Sequence, residues 1–138
     1  MATGQTLMTL ASIILLGIIS MSVRSMYVQS VNNTIDSQVT SDALNFGRDI
    51  AEEIHSFAFA YDQLDAVYGQ MNDVTNNEAR IEFTSPAGLT LYTTIELSAE
   101  QELKHNQLGR QVTIRVFEQE RENDFRQIAE YLTAVLPL

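Results

Sequence analysis

The stretch GQTLMTLASIILLGIISMSV, Gly4–Val23, decides how the rest of the chain is read. It contains no charged residue, and every charge in the protein lies at Arg24 or later. Three uses of such a segment compete: a signal peptide that is removed, an anchor that stays in a membrane, or the apolar end of an assembling subunit. Leu7–Val23 is rich in Leu, Ile and Met. At about 1.5 Å per residue it covers about 25 Å, against a bilayer core of about 30 Å. Counting back to Ala2 gives enough length to span. A secretory signal opens on a basic region and ends on small residues. MATGQT has no Lys or Arg, although Ser20-Met21-Ser22 fits a small-x-small cleavage site. Arg24 is the one basic residue near the segment, so loop charge says little about orientation.

The apolar pattern continues past this head. Apolar residues recur at Tyr27, Val31, Ile35, Val39, Ala43, Phe46, Ile50, Ile54, Phe57, Tyr61 and Leu64. Ten steps cover the 37 positions from Tyr27 to Leu64, an average of 3.7 and close to the helical period. The positions between them are largely polar, and no proline precedes Pro86. The spacing predicts one helix from about residue 5 to about residue 66, about 90 Å long. A body of the remaining residues cannot cover such a helix along its whole length. Its first half therefore needs lipid or other copies of itself. The competing expectation is a break within NNTIDSQVTSD, residues 32–42, whose residues are poor helix formers. Gly17 and Gly47 are the expected soft points.

Beyond Leu64 the pattern changes to period two. Ile81 and Phe83 share a face in RIEFT, as do Leu89, Leu91, Ile95 and Leu97 in LTLYTTIEL. Ser85-Pro86-Ala87-Gly88 reads as the turn of an antiparallel hairpin between them. Val112, Ile114 and Val116 alternate in a third strand. The connection SAEQELKHNQLGR is expected to hold a helical turn, with Ser98 and Gln101 spaced as a capping box. NDFRQIAEYLTAVLPL is expected to form a short C-terminal helix: Phe125, Ile128, Ala129, Leu132 and Leu136 recur at helical spacing, with Asn123 or Asp124 as cap. The expected fold is α+β, a long N-terminal helix packed on a small antiparallel sheet with a short C-terminal helix. The expected parts are a leader at 1–4, an apolar half of the helix at 5–23, an amphipathic half at 24–66 and a sheet domain at 67–138.

Composition narrows the function. Eighteen acidic against eight basic residues give a net charge of −10. Nucleic-acid binding needs clustered Lys and Arg, so it is not expected. The absence of cysteine removes disulfides, thiolate metal sites and cysteine nucleophiles. Both histidines follow a Glu by three, in Glu52-Glu53-Ile54-His55 and Glu102-Leu103-Lys104-His105. Di-iron bundles use that spacing on facing helices, but the second copy falls in a connection between strands. No metal, cofactor or catalytic residue is expected, and no enzymatic activity. Asn32-Asn33-Thr34 has the form of a glycan acceptor. Phe46, Phe57, Phe59 and Tyr61 are expected as core aromatics.

An uncharged apolar N-terminal helix that runs into an amphipathic half and then an antiparallel sheet resembles the type IV pilins and pseudopilins. Family precursors are cut after a glycine just ahead of the apolar helix. Gly4 followed by Gln5-Thr6-Leu7 matches that place. The fifth residue after it is Thr9, where bacterial members carry Glu and archaeal-type members often do not. The resemblance implies a mature chain starting at Gln5. It also implies a helix that anchors the subunit in the membrane and then bundles with other copies in a cell-surface filament. Leu7, Leu10, Ala11, Ile14, Leu15, Gly17, Ile18 and Met21 would form that membrane and polymerisation helix. The implied partners are the protein itself as a helical homopolymer, the membrane before assembly, and a pilus assembly machinery. The implied work is polymerisation and presentation of the sheet face for adhesion, motility or secretion. The alternative expectation is a single-span anchor carrying an extracytoplasmic binding or sensing domain.

Overall fold

The computed structural model describes residues 2–138. Helix α1 runs unbroken over Ala2–Ser56 and continues as a 3-10 segment, Phe57–Gln63, and a short helix α2, Leu64–Tyr68. Five strands follow: β1 Ile81–Thr84, β2 Thr90–Leu97, β3 Gln101–Glu102, β4 Leu108–Arg121 and β5 Asp124–Val135. The fold is α+β. The chain divides into two compact units, one ending at Gln38 and one spanning Val39–Leu138.

Within the second unit, the sheet is antiparallel throughout. β1 pairs with β2, β2 with β4, and β4 with both β3 and β5. Alternation places Leu91, Thr93 and Ile95 of β2 and Val112, Ile114 and Val116 of β4 on the buried face, all essentially without solvent contact. The last turns of α1 lie on that face. Ile50, Ala51 and Ile54 join Ile95, Val112, Ile114 and Val135, together with Leu64 and Tyr68. Val39 and Ala43 join Leu91 and Val116. Phe46 stacks on Phe83 with ring centroids 4.3 Å apart. Each large aliphatic side chain buried here contributes about 1.5–3 kcal/mol, which holds helix and sheet together.

The expected Ser85–Gly88 turn forms. The Gly88 amide donates to the Ser85 carbonyl at 2.9 Å, and Gly88 takes φ +84°, a value open to glycine and strained for other residues. The helix departs from expectation in where it weakens. Residues 32–42 stay helical and neither Gly17 nor Gly47 breaks α1. The break is at Ala60, with φ −132° and ψ 48°. It turns the chain so that Leu64 and Tyr68 enter the core.

Two local expectations are corrected. The terminal segment is strand β5, not a helix. β4 offers a long edge, and β5 pairs with it from Arg110↔Val135 to Arg121↔Asp124. That pairing satisfies a run of backbone groups that a helix beside the sheet would leave to solvent. Val116 pairs with Ala129 and Phe117 with Gln127, so Ile128 is an extra, bulged residue that shifts the alternation. Asn123, expected as a helix cap, sits at the hairpin tip with φ 63°. The connection after β2 also differs. Gln101–Glu102 is strand β3, and the helical turn comes later, as a 3-10 turn at Lys104–Asn106. Ser98 Oγ accepts the Gln111 amide at 2.8 Å instead of capping a helix.

Candidate functional site

The feature that asks for a functional account is the first unit, the part of α1 up to Gln38. A charge-free run on a helix places a residue every 100°, so apolar side chains fill the whole circumference. Leu7, Leu10, Ile14, Leu15, Ile18 and Met21 are all 55–77% exposed. Ala11 and Gly17 lie among them, also exposed. Ile13, Leu16 and Ile19, which the resemblance did not name, complete the ring at 50–65% exposure. Their signal was present: with no polar position between Ala11 and Ile19 except Ser12, no face is left for water. A helix that is apolar all round is buried in a core or in lipid. None of the most hydrophobic 18-residue window is buried within the chain, and its mean hydropathy is 2.2. By length and composition this helix can cross a membrane.

Four hydroxyls in the segment bond back to the helix carbonyls. Thr6 Oγ1 donates to the Ala2 carbonyl at 2.6 Å, Thr9 Oγ1 to Gln5 at 2.8 Å and Ser12 Oγ to Met8 at 2.8 Å. Ser22 Oγ does the same with Ile18 at 2.9 Å. These i−4 bonds remove the cost of taking the hydroxyls out of water. These four hydroxyls and the helical backbone past its first turn are paired, which suits lipid or a dry bundle. Gly4 and Gln5 both lie in the first turns of α1, exposed, with the Gln5 carbonyl already engaged by Thr9.

Beyond Val23 the helix remains uncovered for several turns. Tyr27 is 70% exposed and Ile35 52%, whereas Val39 is buried. The apolar stripe is thus continuous in sequence but changes character at Val39. Arg24 and Asp36 are the only charges before Asp42.

The second unit contains no comparable gathering of chemistry. His55 shares a 2.7 Å hydrogen bond with Thr133 Oγ1, and His105 lies in the tight turn between β3 and β4, far from helix α1 in sequence. Among the described residues no group of three His, Asp or Glu side chains is placed to hold a metal ion. Charged pairs brace the sheet: Arg115 bridges Glu96 of β2 at 2.6 Å and Glu130 of β5 at 3.6 Å. Arg80 lies over the Tyr92 ring at 4.2 Å and pairs with Glu82 at 3.0 Å. Tyr68 donates to Glu53 at 2.9 Å; burial first, and that bond second, push its pKa up to about 12. These contacts tie strands and helix together.

No protein-family model, no curated protein and no solved structure matches this chain.

Proposed function

We propose that the protein is a structural subunit of a cell-surface, type IV pilus-like filament, assembling through its apolar N-terminal helix. The observation that carries this reading is the helix segment up to Val23, apolar on every side and unburied. Leu7, Leu10, Ala11, Ile14, Leu15, Gly17, Ile18 and Met21 supply the contact surface, first to lipid and then to other copies. In lipid these side chains are already out of water, so assembly draws on close packing between helices. The sheet domain faces outward and presents its surface for adhesion, motility or secretion. The role is structural, with no catalytic residue and no cofactor. The subunit is held in the membrane before assembly, is handled by a pilus assembly machinery, and is cut between Gly4 and Gln5.

A second reading has one observation in its favour. The charge-free run from Ala2 to Val23 covers about 33 Å, close to the thickness of a bilayer core. On that reading the chain is a single-span anchor for an extracytoplasmic binding or sensing domain.

The deciding experiment is to express the full chain in its native cells, shear the cell surface and sediment the released material for electron microscopy. The filament reading predicts helical filaments that contain this protein. Recovery solely as small detergent-soluble oligomers from the membrane fraction would overturn it in favour of the anchored domain.

A further inference from the structure

Resting on the filament reading, we infer that neighbouring copies pack as parallel helices displaced by twelve residues, with Arg24 of one copy paired to Asp36 of the next. Two charges stand alone in the long exposed part of α1. From Ala2 to Ser41 the chain has one positive residue, Arg24, and one negative residue, Asp36. Both are exposed, and no ion pair joins either to another described residue. They cannot meet within one chain. Twelve residues of helix separate them by about 18 Å along the axis.

The occupant that fits both charges is a second copy of this chain. Copies inserted into one membrane from one side run parallel. Parallel helices in register would set Arg24 beside Arg24, a repulsive contact. A displacement of about 18 Å sets Arg24 of the higher copy level with Asp36 of the lower one. The same displacement brings the level of Val31 and Ile35, 39% and 52% exposed, against the charge-free residues 19–23 of the neighbour. Side chains beyond the reach of lipid are then covered by protein.

The angular positions agree with an open assembly. Twelve steps of 100° amount to three full turns plus 120°, so the two charges leave the helix on different faces. Each copy therefore offers Arg24 to one neighbour and Asp36 to another. Contacts between unlike faces propagate, and those that do not close give helical filaments. Arg24 also follows directly on the apolar segment. At the edge of a dry bundle an unpaired charge is costly and a paired one is tolerated.

The test uses the absence of native cysteine. Ser20 and Asn32 lie one turn before Arg24 and Asp36, on the same faces and also twelve residues apart. Both are exposed. The full chain carrying Ser20→Cys and Asn32→Cys is oxidised mildly on intact cells. A covalent ladder of dimers, trimers and higher species is expected, with neither single variant giving dimers above background. Dimers from Ser20→Cys alone would mean in-register packing, and dimers without higher species from the double variant would mean closed pairs; either overturns the inference. Sedimentable filaments without any ladder would overturn it while leaving the filament reading intact. Failure of the wild-type chain to form filaments would overturn both. As a second arm, Arg24→Asp and Asp36→Arg should each lose most of the sedimentable polymer while still reaching the membrane fraction. The combined exchange should restore it. Wild-type yields from both single reversals would exclude the pair as a contact.

Discussion

One helix holds two populations of the same side chains. Ile14 and Ile18 are more than half exposed, and Ile50 and Ile54 are at most 5% exposed. Nothing in residue type separates them. The difference is that the sheet of the second unit covers α1 from Val39 onward. The lesson is that α1 performs two tasks. Its last turns are a core element of a folded domain, and its first turns are an unmet demand for burial. A helix that served only the domain would start near Val39.

The comparison can be broken by substitutions that ought to act on one region and spare the other. The largest effect is expected in the core. Ile114→Ala should lower the unfolding free energy of the full chain in detergent by about 2–5 kcal/mol. Ile14→Ala in the same denaturant titration should change it by less than about 0.5 kcal/mol. Equal effects would mean that the apolar head belongs to the folded domain. Next comes a charge in the head. Ile14→Lys should disfavour membrane insertion by about 2.5–3.5 kcal/mol. Cell fractionation should then show loss from the membrane and from sheared polymer, with the domain itself still folded.

A smaller effect sharpens the account of the sheet. A Cβ at Gly109 would come within 2.8 Å of the Val135 carbonyl and 2.7 Å of Leu136 Cδ2. Gly109→Ala should destabilise the domain by about 1–3 kcal/mol in the same titration, through the β4–β5 pairing. Smallest is the Tyr68 contact. Tyr68→Phe should cost about 1 kcal/mol near neutral pH. Burial and the Glu53 carboxylate raise the Tyr68 pKa from 10.0 to about 12. The unfolded chain therefore loses this proton before the folded one does. The contribution is complete below pH 10 and is lost as pH rises through about 12. Stability measured across that window should fall in the wild type and fall less in Tyr68→Phe.

Much of this division was legible in the sequence. The charge-free run announced a segment with no water-facing side. The stripe from Tyr27 to Leu64 announced a helix. Pro86 and Gly88 announced a turn, and Leu91, Ile95, Val112 and Ile114 announced their buried faces. What stayed hidden depended on partners far away in the chain. The stripe gives no sign that burial starts at Val39 and not at Tyr27, because coverage depends on the reach of the sheet. The terminal segment read as a helix because Phe125, Ile128, Ala129 and Leu132 recur at helical spacing, yet in β5 they share no face: Ile128 and Ala129 pack on the core, Phe125 meets Tyr92 and Leu132 is 58% exposed. The long open edge of β4 overrode that local pattern. In the head, the eight residues named by the resemblance leave out Ile13, Leu16 and Ile19, which are equally exposed and complete the ring.

The most direct measurement of the central claim is the mass and N-terminal sequence of this protein in the sedimentable material sheared from whole cells. The account predicts a chain that begins at Gln5 and keeps the whole apolar segment through Val23. A chain that begins near Val23, free in the medium and without that segment, would contradict it.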